Sequence, residues 1–409
     1  MQVVIVGAGQ AGFQTAASLR QEGFDGRIVL VGDEPHLPYQ RPPLSKTYLA
    51  GEGGRELVEL RPAEFYQDNA IELLTPERIV EIDRTARKVR LESGGLLDYD
   101  HLVLALGARN RTLPLPGADL AGVRSLRTLD DADALRAALP SAGRIVVVGG
   151  GFIGLEFAVV AGASGAEVTL LEALPRPLAR VSSPTVSEFF AEFHRARGVR
   201  TVFGAGLDCL VGESGSVTGV RTGEGQEFGA DLVVVAVGVL PSVELAEQAG
   251  LPTANGILVD ERLRTRDPAI SAIGDCAAFP TPFAAGQLRL ESVQNAVDQA
   301  RCVAAGLVGR PADYRAVPWF WSDQAEAKLQ IAGIITGHDR TVLRGDPATG
   351  RFSVFCFDGD RLLGAESVGR AQDHLAVRRL LAAGASLRPD EAGDESFDLK
   401  AHAKQAAGR

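Results

Sequence analysis

Two short runs carry chemistry that can be read from residue types and spacing: Gly7-Ala-Gly9-Gln-Ala11-Gly12 and Gly149-Gly-Gly151-Phe-Ile153-Gly154. Both have the pattern G-x-G-x-x-G. The first glycine of such a run makes a tight turn, the second lets backbone approach a pyrophosphate, and the third lets a helix pack on a strand. An apolar stretch precedes each run (MQVVIV and RIVVV), and an apolar helical stretch follows. A second strand then leads to an acid about 20 residues on, where a ribose is recognised. That acid is Asp33 after RIVLVG and Glu172 after EVTLL. The chemistry implied is the binding of two dinucleotides, each with its pyrophosphate on a helix N-terminus. Glu172 would accept from a ribose 2′-OH and repel a 2′-phosphate, so the second site is expected to prefer NADH over NADPH. Arg176 and Arg180 lie just beyond; they either soften that preference or belong to a solvated loop.

Other stretches bear side chains suited to a ligand. Residues 34–46 (EPHLPYQRPPLSK) form a proline-stiffened loop after a strand, the edge at which doubly wound sheets bind ligands. The loop carries Arg41, Ser45 and Lys46. Lysine is scarce in this chain, the others being Lys88, Lys328, Lys400 and Lys404, so Lys46 is expected to hold a charge in place. Gly274-Asp275 ends a short strand, where an acid can accept from a ribityl hydroxyl and glycine allows close approach. The run ESVQNAVDQA (291–300) reads as a helix whose N-terminus, at Ser292 and Val293, would face a ligand. Trp319-Phe-Trp321-Ser-Asp-Gln holds both tryptophans of the chain, which either shield a ring or pack as ordinary core.

These groups need a scaffold, and the pattern implies one. Buried strands are expected at 101–106, ending in Gly107-Ala-Arg109, and at 231–237, ending in Gly238. Residues 71–100 alternate apolar and polar and read as an antiparallel ribbon. Pro114, Pro116 and Gly117 mark a crossover, and Leu240-Pro-Ser the way back. The expected class is α/β: two Rossmann-like dinucleotide-binding domains plus a small α+β domain. The first domain is expected to be discontinuous (1–112 and 241–317), the second to span 113–240, and the third 318–409. In the third, strands are expected at 328–335, 341–343 and 352–357 and a helix at 373–383, with a partly disordered tail beyond Pro389.

At 409 residues the chain can build two or three sizeable cores. Its net charge of −10 argues against nucleic acid or an acidic membrane surface as a general partner. The first strand begins at once and no apolar run approaches spanning length, so neither a leader nor a membrane segment is expected, and a cytoplasmic location is. Cys209, Cys276, Cys302 and Cys356 lie far apart, as do the histidines, so neither a metal site nor a sequence-local redox disulfide is expected.

The motifs VGAGQAG, YQRPPLSK, ALGAR, LRTLDDA, GGGFIGLE, LLEALPRPLARV, AIGDCA, LESVQNAVDQA and PWFWSDQ occur in this order over nearly the whole chain. Together they resemble the FAD-dependent NADH:ferredoxin reductases of the putidaredoxin reductase and biphenyl-dioxygenase reductase type. The resemblance implies a glutathione-reductase-like architecture, with FAD in the first unit, NADH in the second and a C-terminal domain capping the flavin. It also implies a [2Fe–2S] ferredoxin as acceptor, supplying a cytochrome P450 or a ring-hydroxylating oxygenase. Ala11, Asp33, Lys46, Ile79, Arg127, Asp275 and Val293 fall where that family contacts FAD, beside Gly7, Gly9, Gly12, Arg41, Gly107 and Gly274. Trp319 or Trp321 falls beside the isoalloxazine. Around NAD fall Gly149, Gly151, Ile153, Gly154, Glu172, Arg180 and Gly238, with Glu156 approaching the nicotinamide. Leu106 stands where the family usually has Thr, which removes a hydroxyl contact there.

The mechanism expected is hydride transfer to the flavin with Lys46 paired to Glu156, orienting the nicotinamide, followed by departure of single electrons. Arg41, Arg289, Arg301 and Arg315 are expected as docking residues for an acidic ferredoxin. Alternative readings are a rubredoxin reductase or NADH oxidase of the same superfamily, an apoptosis-inducing-factor-like NADH-binding flavoprotein, and a disulfide reductase, which would need a cysteine pair.

Overall fold

The computed structural model describes residues 1–407. The chain divides into two compact units, one of residues 1–40, 55–109 and 240–318, the other of residues 41–54, 110–239 and 319–409.

At the centre of the first unit is a parallel five-stranded sheet in the order Ile270–Ala272, His101–Leu104, Gln2–Val6, Arg27–Val31, Ile71–Leu74. Its strands are near-continuous apolar runs because both faces are covered, and Val3, Val4 and Ile5 are fully buried. Burying each such side chain stabilises by about 1.5–3 kcal/mol. Helix Gln10–Gln21 follows the first glycine run. The expected antiparallel ribbon is present as Ile79–Asp83, Lys88–Leu91 and Leu96–Asp98.

The second unit repeats this plan. Its parallel sheet runs Arg200–Phe203, Glu167–Glu172, Arg144–Val148, Leu232–Val235, Val123–Ser125, again with the strand before the glycine run at the centre. A three-stranded antiparallel insert (Leu207–Glu213, Ser216–Thr222, Glu227–Gly229) precedes the closing strand. The segment 41–54 packs here: Tyr48 donates to Asp133 at 2.5 Å, and the Arg136 guanidinium lies 5.4 Å from the Tyr48 ring centre.

The C-terminal part adds an antiparallel sheet in the order Trp319–Gln324, Ala327–Gly333, Arg361–Val368, Arg351–Asp358, Arg340–Asp346, covered by helix Ala371–Ala382. Two of these strands depart from the sequence reading, Trp319–Gln324 and Arg361–Val368. The first hides its apolar half in two tryptophans, and the second contains Gly364 and a buried Glu366. That carboxylate accepts from the Ser183 N–H at 2.9 Å, at the start of helix Pro184–Arg195, and burial pushes its pKa up. Of the residues beyond Pro389 that are described, Pro389–Gly393 and Leu399–Ala407 form helices rather than a disordered tail. Leu387, Ala392, Leu399 and Ala403 bury themselves, and Arg344, 5% exposed, donates to the carbonyls of Ala392, Asp394, Glu395 and Phe397. An arginine more than forty positions away thus fixes a segment whose own composition is that of a tail. Among the described residues no helix is long and apolar enough to cross a membrane.

Candidate active site

In the first unit the two outer glycines of the run are required by the protein itself. A Cβ on Gly7 would lie 2.2 Å from the Ala105 carbonyl oxygen, and one on Gly12 would lie 1.8 Å from that of Gly7. Gly9 differs: nothing lies within 4 Å of the position its Cβ would take. Packing therefore gives no reason for glycine there, whereas a phosphate seated on the helix N-terminus does. Asp33 is exposed just past strand Arg27–Val31. Ala11 is buried, and a Cβ on Gly274 would come within 3.1 Å of it. Gly274 takes φ +73° and donates to Gln299 Oε1 at 2.7 Å, while the buried Gln299 Nε2 has no partner among the described residues. Asp275 follows, and Val293 opens helix Val293–Leu307, whose N-cap Ser292 accepts from Asn295 N–H at 3.1 Å. An open glycine, an orphaned amide and a capped helix start fit an adenine dinucleotide carrying a polyhydroxyl chain. Gly107 takes φ +66° after strand His101–Leu104, and Ile79 is buried in the core.

The second unit has the same geometry. A Cβ on Gly149 would meet the Ala236 oxygen at 2.3 Å and one on Gly154 the Gly149 oxygen at 2.0 Å, whereas Gly151 faces open space. Glu172 receives two backbone N–H groups, from Gly150 on Oε2 and Leu174 on Oε1, each at 2.7 Å. An ionised carboxylate has about four acceptor positions, so sites remain for a ribose. Ile153 is 42% exposed at the helix start, Gly238 takes φ +94°, and Arg180 is exposed. Arg176 does not face a nucleotide: it donates to the carbonyls of Ala179 and Ser182 and to Ser187 Oγ, and so belongs to its own loop.

Lys46 and Glu156 meet. Glu156, 3% exposed in helix Phe152–Ala163, accepts from Lys46 Nζ at 2.6 Å and Ser45 Oγ at 2.5 Å on Oε2, and from Ser322 Oγ at 2.6 Å on Oε1. A buried carboxylate is costly unless paired and hydrogen-bonded, and three donors meet that need. Lys46 also donates to the Pro42 carbonyl at 3.2 Å, which leaves one of its three N–H groups for a ligand. Arg41 donates to the Arg127 carbonyl at 2.6 Å, just ahead of the capping box of Thr128 and Asp131.

Trp319 and Trp321 are half-buried with ring centres 5.5 Å apart; Arg378 lies over Trp319, and His374 meets its edge. Strand alternation in WFWSDQ puts Phe320, Ser322 and Gln324 on the opposite face, and Ser322 and Gln324 are fully buried there. The sequence reading missed both. Two polar residues sharing a face of a strand with Phe320 were the available signal.

Of the expected docking arginines, Arg289 is excluded. Its side chain is 10% exposed, paired with Glu291 at 2.7 Å and bonded to the Asp275 carbonyl. Arg301 and Arg315 are exposed but stand beside Asp298 and Asp313. The four cysteines are free, and burial pushes the Cys276 thiol up to about 11. Among the described residues no group of three or more His, Cys, Asp or Glu side chains could hold a metal ion.

Residues 1–300 match the pyridine nucleotide-disulphide oxidoreductase family model, and residues 319–403 match the reductase C-terminal model. The chain is 52% identical to rhodocoxin reductase of Rhodococcus erythropolis over 400 residues, 98% of this chain and 94% of that protein. It superposes on the crystal structure of the ferredoxin reductase for the CYP199A2 system of Rhodopseudomonas palustris with a TM-score of 0.97 at 52% identity, covering 98% of this chain and 99% of that one. It also superposes on the reductase of the covalent putidaredoxin reductase–putidaredoxin complex with a TM-score of 0.96 at 41% identity, covering 100% and 99%. The chain therefore belongs to the pyridine nucleotide-disulphide oxidoreductase family and, within it, to the FAD-dependent NADH:ferredoxin reductases.

Proposed function

We propose that this protein takes hydride from NADH and passes electrons one at a time to a [2Fe–2S] ferredoxin that supplies a cytochrome P450 or a ring-hydroxylating oxygenase. The observation that carries this reading is the duplicated cradle, in which each middle glycine faces open space, together with a buried, ion-paired Glu156 on the helix of the second cradle. Bound FAD supplies the exchange between a two-electron donor and a one-electron acceptor.

Residues 1–112 and 241–317 form the FAD-binding domain, 113–240 the NAD-binding domain and 318–409 the C-terminal domain. Gly7, Gly9 and Gly12 seat the FAD pyrophosphate, Asp33 the ribose, and Gly274 and Asp275 the ribityl chain. In the second unit Gly149, Gly151 and Gly154 seat the NADH pyrophosphate. Glu172, already turned toward the loop by the Gly150 N–H, takes the ribose hydroxyls and repels a 2′-phosphate. The remaining N–H of Lys46 orients the nicotinamide carboxamide, and Glu156 holds that ammonium in place. Free thiols and use of NADH support a cytoplasmic location.

Anaerobic titration with NADH tests the reading. The visible flavin absorption bleaches at one equivalent, and the reduced enzyme then reduces a [2Fe–2S] ferredoxin faster than a rubredoxin. A requirement for two equivalents, with a thiolate charge-transfer band between them, would instead establish a disulfide as a second redox centre. Lys46→Met slows flavin reduction by NADH, and an unaltered rate removes Lys46 from the mechanism.

A further inference from the structure

The polar half of WFWSDQ is left over once the tryptophans are accounted for, and it lies in a buried chain of hydrogen bonds. Ser322 Oγ donates to Glu156 Oε1 at 2.6 Å, Gln324 Nε2 donates to Ser322 Oγ at 3.3 Å, and Gln324 Oε1 lies 2.8 Å from His194 Nε2. Ser322, Gln324 and His194 are all fully buried. The order of donors follows from the carboxylate. An ionised Glu156 only accepts, so the single Ser322 hydrogen must point at it. The remaining Ser322 lone pairs then call for a donor, which turns the Gln324 amide nitrogen toward Ser322 and its oxygen toward His194. A carbonyl oxygen only accepts, so His194 must carry its proton on Nε2. Its Nδ1 has no partner among the described residues, as suits a neutral ring in an apolar setting, and burial pushes its pKa down. Every hydrogen in the chain thus points at Glu156. Hydrogen bonds are electrostatically stronger in such a buried setting than in water, and this chain of them holds its members to one another. It also joins three segments distant in sequence: helix Pro184–Arg195, strand Trp319–Gln324 and helix Phe152–Ala163.

We propose that Ser322, backed by Gln324 and His194, is a positioning residue for hydride transfer: it fixes the Glu156 carboxylate plane so that Oε2 faces Ser45 and Lys46. This rests on the reading of the second unit as the NADH site. Among the described residues no other donor reaches Oε1. Without Ser322 the carboxylate can rotate about its terminal bond, and the Lys46 ammonium moves with it.

The test uses the FAD-loaded enzyme. Ser322→Ala lowers the limiting rate of flavin reduction by NADH about tenfold with little change in NADH affinity, the mark of misplacement rather than lost binding. Gln324→Met acts in the same direction by a smaller factor, and decides the matter if Ser322→Ala does not fold. A readout independent of turnover is acylation of lysines by an activated ester, followed by peptide mass spectrometry. Lys46 labels faster in both variants, while Lys88, its side chain 42% exposed and remote in sequence from this network, is unaffected. Nitrogen-15 spectra of His194 show the Nε2–H tautomer in the wild type. An Nδ1–H tautomer, or unchanged Lys46 labelling in both variants, overturns the proposal. Faster labelling with an unchanged rate of reduction upholds the positioning by Ser322 and overturns instead the role of Lys46 and Glu156 in hydride transfer.

Discussion

In the first unit Gly7 N–H donates to the Val31 carbonyl and Ala105 N–H to that of Val6, each at 2.8 Å. In the second, Gly149 N–H donates to Leu171 and Ala236 N–H to Val148, again at 2.8 Å. With the two loops so aligned, Ala8 corresponds to Gly150, Gly32 to Glu172 and Gln14 to Glu156. The first pair of correspondences is a swap of sizes. A Cβ on Gly32 would lie 2.5 Å from Ala8 Cβ, and a Cβ on Gly150 would lie 3.2 Å from Glu172 Cβ. The space between loop and strand holds one side chain, supplied by the loop in one unit and by the strand in the other. The two acids are therefore not equivalent: Asp33 stands one position later and exposed, while Glu172 fills the gap and is held by backbone. A duplicated scaffold thus offers its two nucleotides different recognition at the same edge.

The largest effects separate glycines that the protein needs from glycines that the ligand needs. Gly12→Ala and Gly154→Ala drive a Cβ into a backbone oxygen. The first yields protein that retains no flavin, and the second retains flavin but is not reduced by NADH at any accessible concentration. Gly9→Ala and Gly151→Ala meet open space, so the thermal midpoint of the flavin-free protein is unchanged while flavin retention, in the first, and NADH affinity, in the second, fall by about a hundredfold, roughly 2.7 kcal/mol. Flavin content and melting curves distinguish the two classes. Loss of stability in Gly9→Ala would break the parallel between the cradles.

Acid tests the units next. Burial, then Arg264, pushes His101 in the first unit down to about 4; burial, then Arg378, does the same to His374 in the second. Both rings are neutral when folded, so the unfolded chain takes up protons as pH falls through 6.5 and the folded chain does not. Stability is thus full above pH 6.5 and is lost toward pH 4, by roughly 3 kcal/mol per histidine. The thermal midpoint of the holoenzyme at pH 5 lies below that at pH 7.5. His374→Phe narrows the gap without stranding a partner, since neither ring nitrogen is bonded among the described residues. His101→Phe also narrows it but leaves the buried Ser271 hydroxyl without the ring nitrogen 3.0 Å away, lowering stability at both pH values.

Gly150→Ala sharpens the size swap. The new methyl crowds Glu172 and loosens its bond to the loop, weakening NADH binding about tenfold, roughly 1.4 kcal/mol. Ala8→Gly, at the matching position, only opens space and leaves flavin content unchanged. Isothermal titration with NADH and flavin quantitation measure the two.

Both glycine runs, their strands and the acids were legible because local rules govern them: an apolar run buried on both faces, a turn only glycine can make, an acid at a strand end. Glu172 matched the end of its strand, and Ser292 the cap of its helix. What was not legible depends on partners far along the chain. Ser322 and Gln324 looked like the polar edge of a tryptophan-rich stretch, and only strand pairing buries them. The tail looked disordered because its apolar residues are few and mostly alanine, and Arg344 lies well before it. Arg289 and Arg176 looked like free surface charges, but nearby carbonyls, together with Glu291 for Arg289 and Ser187 for Arg176, engage them.

The smallest effect is the most pointed. Gln14 occupies the scaffold position of Glu156, half-buried, with Nε2 donating to Ser18 Oγ at 2.9 Å one turn along. Gln14→Glu keeps that bond, because the Ser18 hydroxyl can turn and donate to the new carboxylate. A half-exposed substitution of this kind shifts stability by no more than about 0.5 kcal/mol. Flavin content and the rate of reduction by NADH stay at wild-type values. An acid at this position of a dinucleotide helix therefore does nothing by itself; Glu156 acquires its role from Lys46 and Ser45, brought by the 41–54 segment, and from Ser322, brought by the C-terminal sheet. A slowed reduction in Gln14→Glu would mean that the position alone confers function, and the contrast between the two helices would fail.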